Sequence, residues 1–95
     1  MTWRVQVRSR ANVDIKDAAA WYEAELDGLG SNFLGEVRAA LRGLTHSPHR
    51  YAEIAPGVRR VLIRRFPYSV YFRILDEDVI VLAVLHQRSS ATVDP

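Results

Sequence analysis

The chain has 95 residues, a net charge of +2 and no cysteine; 48% of it is apolar and 25% charged. That length and balance fit one soluble globular core and leave no room for a second. The missing thiol excludes a disulfide framework, a cysteine nucleophile and any cysteine-ligated zinc or iron–sulfur centre.

The longest apolar run, Val79 to Leu85, is far too short to cross a bilayer. Met1-Thr2-Trp3-Arg4 shows no signal-peptide pattern. These features predict a single cytoplasmic domain over residues 1–95, with a small, polar tail at 89–95 expected to be flexible.

In chain order, Trp3 to Arg8 alternates apolar and polar residues and predicts a strand buried on one face. Asn12 is a candidate N-cap for a helix over Val13 to Asp27, with Asp14 and Asp17 near its positive end and Ile15, Ala18, Ala19, Tyr22 and Leu26 along one face. Gly28-Leu29-Gly30 breaks this pattern, and Ser31 can cap a second helix that carries Phe33, Val37, Ala40, Leu41 and Leu44 on one side. Pro48 ends it. Two helices with so short a connection predict an antiparallel hairpin.

A loop from Ser47 through Pro56-Gly57 leads to three strands: Val58 to Phe66, Tyr68 to Leu75 and Val79 to His86. Pro67 marks the first connection and Asp76-Glu77-Asp78 the second. The unbroken apolar run of the last strand predicts neighbours on both sides. The fold class is therefore α+β, β-α-α-β-β-β, an antiparallel twisted sheet packed against an N-terminal helical hairpin. The pattern leaves the first strand's place in the sheet open.

Charge is segregated along the chain. Asp14 to Glu36 holds six acids and one base, whereas Val37 to Leu75 holds eight arginines and one acid, Glu53. Lys16 is the only lysine. Arginine's planar fork suits carboxylates and phosphates, so the basic half reads either as a solvated face or as a surface for an anionic partner, nucleic acid or acidic protein.

Several segments, in order, resemble the RelE/ParE family of type II toxin–antitoxin toxins. They are Ala11 with Asp14-Ile15, Trp21-Tyr22-Glu23, Gly28-Leu29-Gly30 with Phe33, and Pro48 with Tyr51. Arg59-Arg60, Pro67-Tyr68 with Val70-Tyr71-Phe72, and Val81 through His86 with Arg88 complete the series. The resemblance implies a growth-inhibiting toxin neutralised by a co-expressed antitoxin, expected to carry a ribbon-helix-helix DNA-binding domain and an acidic C-terminal segment. It also implies one of two targets. RelE-like members cut mRNA on the ribosome, and ParE-like members poison DNA gyrase without nuclease chemistry.

A nuclease needs a base, an acid and cations for the phosphorane charge. Glu53 or His86 are the candidates for proton transfer, with Arg59 and Arg64 for charge. His86 reads more simply as a strand-end histidine bonded to backbone or touching the antitoxin. The resemblance puts Tyr68 where RelE-like nucleases often carry a phosphate-gripping arginine, and the tail after Arg88 lacks a basic or aromatic residue. This favours the ParE-like branch, with Arg60, Arg65, Arg73, Tyr68, His86 and Arg88 as candidate contacts for target or antitoxin. The mRNA endonuclease is the alternative, and a degenerate toxin that only binds antitoxin a third. Alternation along a Val58 to Phe66 strand would send each member of Arg59-Arg60 and of Arg64-Arg65 to opposite faces. His46 and His49 have a metal-like spacing that Pro48 disrupts, so no metal or other cofactor is expected.

Overall fold

The computed structural model describes residues 2–93. Strand β1 (Arg4–Val7) is followed by helices α1 (Ser9–Glu25) and α2 (Leu29–His46) and a 3-10 turn at Pro48–Arg50. Strands β2 (Glu53–Ala55), β3 (Val58–Leu62), β4 (Tyr68–Leu75) and β5 (Asp78–His86) complete one sheet, ordered β1-β5-β4-β3-β2. The strands from β2 to β5 pair antiparallel. The first strand, whose place the sequence left open, pairs parallel with β5, which makes the sheet mixed and gives β5 a neighbour on each side.

The helical hairpin covers one face. Tyr68, Val70, Phe72 and Ile74, the alternating set predicted for β4, lie in or against the core with Phe33, Val37, Leu41 and Leu44 of α2. Between the helices, Gly30 sits so close to α1 that an added Cβ would lie 2.6 Å from the Ala19 carbonyl oxygen. Glycine is required there by approach distance.

Several boundaries differ from the sequence expectation. Helix α1 begins at Ser9, with the Asn12 N–H already donating to the Arg8 carbonyl at 3.0 Å. Asn12 is thus inside the helix, and its side-chain amide reaches back to the Val7 carbonyl at 3.5 Å. Nothing in Ser9-Arg10-Ala11 opposes helix, and burying Ala11 completely favours it. Leu26 terminates α1 and is 63% exposed instead of core.

Ser31 is not the cap of α2. The Glu23 carboxylate takes that role from the preceding helix, accepting the N–H groups of Gly28 at 2.9 Å and Gly30 at 3.0 Å. An anion at a helix N-terminus satisfies otherwise unpaired donors and the helix dipole together. Gly28 itself has φ +88°, a conformation that glycine adopts without steric cost.

The third expected strand is also shorter. β3 stops at Leu62, and the Ile63 N–H donates to the Tyr68 carbonyl at 2.9 Å, closing a turn over residues 64–67. Arg64 and Arg65 therefore stand in a turn, Arg65 with φ 73°, and alternation does not assign them faces. Of the tail, residues 94 and 95 lie outside the described residues. Residues 90–93 lack regular structure, and the Arg10 guanidinium holds the Thr92 carbonyl at 2.7 Å.

Candidate functional site

The site is built by an irregularity in β5. Tyr71 pairs with Ala83 and Phe72 with Val81, so Leu82 is an extra residue with no partner on β4. Because side chains alternate with period two, one inserted residue exchanges the faces of all that follow. Val79 and Val81 face the helices before the bulge; Val84 and His86 face them after it, paired with Val70 and Tyr68. The bulge is what puts His86 on the helix side of the sheet.

There His86 closes an aromatic series. Its ring meets Tyr68 edge-on with centroids 5.2 Å apart, Tyr68 lies 5.2 Å from Phe33 and 6.0 Å from Tyr22, and Tyr22 lies 5.2 Å from Trp21. Phe66 tucks under this series, 4.9 Å from Tyr22. Such edge-to-face contacts fix ring orientation as well as burying area. Burial pushes the Tyr68 hydroxyl above the ordinary tyrosine value of 10.0; burial, and then the neighbouring Tyr68, do the same to Tyr22. Both hydroxyls therefore remain protonated donors at neutral pH.

Two adjoining clefts of about 330 and 370 Å³ open here, sharing Trp21, Tyr68 and His86. Asp14, Asp17 and Ser89 line the first, and Tyr22 and Pro67 the second. Trp21 is 59% exposed and forms the rim. The Asp14 carboxylate accepts the Val84 N–H at 2.9 Å and lies 3.9 Å from Nε of Arg10. The Arg88 N–H donates to Nδ1 of His86 at 3.0 Å. That assigns the proton of the neutral ring to Nε2, the nitrogen left to meet a ligand.

The residues singled out from sequence do not all converge. Tyr68 and His86 share the cleft, with Arg88 two residues beyond His86. Arg60 pairs with Tyr71, and Arg73 follows it on the same side of β4, so both belong to the sheet face opposite the helices. Arg65 lies 3.7 Å from Glu36 on α2, and neither Arg64 nor Arg65 lines the clefts. Arg59 is engaged in holding the 3-10 turn, donating to the Tyr51 carbonyl at 2.6 Å and the His49 carbonyl at 3.3 Å. The Glu53 carboxylate accepts the Gly57 N–H at 3.2 Å. β2 lies three strands from β5, a separation of roughly 14 Å across the sheet, so Glu53 and His86 share no site. His49 stacks edge-on against Trp3 at 5.7 Å.

Sequence reasoning did not single out Asp14 or Asp17 as site residues. The signal was available: Asp14, Asp17, Ala18 and Trp21 are spaced so as to fall along one side of a helix. What places that side against His86 is long-range packing.

A helical hairpin packed across one face of a mixed sheet is a fold this chain shares with toxins of known structure. A chain of the chromosomal ParDE toxin–antitoxin system of P. aeruginosa superposes with a TM-score of 0.77 at 19% identity, over 90% of this chain and 96% of that one. A mutant of the E. coli toxin RelE in the free state gives 0.71 at 18% identity, over 95% and 88%. A chain of the toxin–antitoxin complex RelBE2 from Mycobacterium tuberculosis gives 0.60 at 24% identity, over 90% and 99%.

In sequence, residues 5–91 match the family model of the ParE toxin of the type II toxin–antitoxin system parDE. Toxin ParE2 of Mycobacterium tuberculosis is 29% identical over 87 residues, which is 90% of this chain and 83% of that protein. The chain belongs to the ParE toxin family of type II toxin–antitoxin systems.

Proposed function

We propose that this toxin inhibits DNA gyrase through protein contacts, in the cytoplasm, and is held inactive by a cognate antitoxin. The antitoxin of this reading has a ribbon-helix-helix DNA-binding domain and an acidic C-terminal segment. The cleft bounded by Trp21, Tyr68 and His86 is the contact surface, and Arg88 extends it.

The observation that carries this reading is the charge of the cleft. Cutting RNA requires cations placed where the phosphorane develops negative charge. The residues lining this cleft include two aspartates and no arginine. Tyr68 and His86 can stack or donate hydrogen bonds, as befits a contact site; Asp14 is engaged by the Val84 N–H and Arg10, Asp17 adds negative charge, and the lining offers a phosphate no cation. Arg59, Arg60, Arg64, Arg65 and Arg73 face other parts of the surface.

Induction of the toxin in a bacterial host separates the two activities. A gyrase poison raises a DNA-damage response and leaves translated messages intact. Codon-phased cuts in primer extension that vanish in His86→Ala would overturn the proposal in favour of the ribosome-dependent endonuclease. Loss of toxicity with retained antitoxin binding would instead identify a degenerate toxin.

A further inference from the structure

Trp21 is 59% exposed, and its ring meets Tyr22 with the two planes 81° apart. Across the clefts, Tyr68 and His86 are half-buried and also cross at 81°. Rings crossed in this way are not stacked face to face on one another, and the exposed indole keeps apolar surface free for a ligand. Covering a side chain of that size on a partner is favourable in itself.

The two clefts that share Trp21, Tyr68 and His86 differ in polarity. The one of about 370 Å³ is completed by Tyr22 and Pro67 and has no carboxylate in its lining, whereas Asp14 and Asp17 line the one of about 330 Å³. Helix α1 sets this gradient, because Asp14, Asp17 and Trp21 are spaced so as to share one side of it. Asp14 is partly committed, to the Val84 N–H at 2.9 Å and to Arg10 at 3.9 Å. Asp17 is exposed and has no ion-pair partner among the described residues. The bases near them in sequence, Arg10, Lys16 and Arg88, line neither cleft, and the Arg10 guanidinium donates to the Thr92 carbonyl at 2.7 Å. An aromatic cleft with an apolar half and an anionic half therefore lacks a cation of its own.

We propose that this cleft receives an arginine side chain from the surface of the target protein. The apolar stem lies against Trp21 and Tyr68, and the guanidinium reaches Asp17 and the Asp14 oxygen that Val84 does not occupy. A long charged side chain matches such a gradient, with its stem on apolar surface and its head among polar groups. Aromatic faces attract a cation and carboxylates pair with it. Arginine combines both, being planar, weakly hydrated and able to stack; the lysine ammonium is more strongly hydrated and has no planar fork. An acidic side chain would meet Asp17 as a like charge. The inference rests on the reading that this cleft is the toxin's contact with gyrase, and it names the chemistry on the other side of that contact.

The test titrates the full, isotope-labelled chain with a capped glycine–arginine–glycine peptide, following the Trp21 indole N–H and the backbone N–H groups of Val84 and Ser89 by NMR. The same peptide with citrulline (the uncharged isostere of arginine), lysine or glutamate at its centre serves as comparison. The arginine peptide is expected to bind about tenfold more tightly than the citrulline peptide, with lysine between them and glutamate weakest. Asp17→Asn, a change at an exposed helix position that leaves the fold intact, is expected to weaken arginine binding by about fivefold. Trp21→Ala should weaken it similarly, and Trp21→Phe should restore most of the loss. Equal binding of the citrulline or lysine peptide, no saturable shift at Trp21, shifts confined to the acidic turn Asp76-Glu77-Asp78, or undiminished binding by Asp17→Asn would overturn the proposal. Supercoiling assays separate it from the gyrase reading. Arginine-selective binding by a protein that does not inhibit gyrase would sink only the gyrase reading, and inhibition that Asp17→Arg leaves undiminished would sink only the arginine site.

Discussion

The Asp14 carboxylate on α1 accepts the Val84 N–H of β5 at 2.9 Å, two residues past the extra Leu82. β1 pairs with β5 only as far as Val81, so Val84 would otherwise present an unpaired donor on that side of the strand. Asp14 both satisfies it and ties the helix that carries Trp21 to the strand that carries His86. The cleft thus exists because one carboxylate from α1 replaces the strand pairing that β1 does not extend to provide.

Asp14→Ala is accordingly expected to destabilise the protein by about 1–3 kcal/mol, the effect of leaving a partly buried N–H unpaired. Urea unfolding measures it. A loss indistinguishable from zero would mean that Asp14 contributes charge to the cleft and no structural support.

Glu23 binds two N–H groups at the start of α2 from a position seven residues before Gly30. Glu23→Ala should cost about 1–2 kcal/mol, in the range of a lost helix cap, whereas Ser31→Ala should fall within about 0.5 kcal/mol of the parent, as surface changes do. Thermal unfolding of the two variants side by side checks the assignment, and the reverse order would refute it.

Ser69 is 1% exposed, and its hydroxyl has no hydrogen-bond partner among the described residues. It faces away from the helices, in register with Leu62 and Leu85. An orphaned buried hydroxyl is a cost to the fold. Ser69→Ala should therefore leave stability unchanged or raise it by up to about 1 kcal/mol. A clear loss in urea unfolding would show that the hydroxyl has a partner after all.

Tyr22 and Tyr68 both have hydroxyls held above the ordinary value of 10.0, chiefly by burial. In the unfolded chain they ionise near that value, so stability from this source is fully present below about pH 10 and is lost as pH rises through the higher folded values. The folded protein should show a late phase of tyrosine ionisation in ultraviolet absorbance, accompanied by loss of stability. Tyr22→Phe with Tyr68→Phe should remove that phase. Ionisation of Tyr22 and Tyr68 near pH 10 would contradict it.

The elements with strict alternation or helical spacing were legible in the sequence. β4 occupies the predicted residues, with Tyr68, Val70, Phe72 and Ile74 directed as alternation requires, and Pro48 follows the end of α2. What escaped depends on contacts distant along the chain. The continuous apolar run of β5 has no period from which a bulge at Leu82 could be read, so the face of His86 was undetermined. The N-cap of α2 comes from the preceding helix, and a search for Ser, Thr, Asp or Asn just before a helix does not find it. The parallel pairing of β1 with β5 joins opposite ends of the chain. Arg64 and Arg65 continue the strand in pattern, and only the Ile63–Tyr68 backbone bond and the left-handed Arg65 reveal a turn.

The central functional claim is that an acid-lined aromatic cleft contacts gyrase and cuts no RNA. The most direct measurement is supercoiling of relaxed plasmid by purified gyrase in the presence of the purified toxin. Concentration-dependent inhibition is predicted, relieved by the antitoxin and weakened when Trp21→Ala and Tyr68→Ala strip the cleft of its exposed rim and its wall. Unimpaired supercoiling at toxin concentrations that arrest growth would contradict the account.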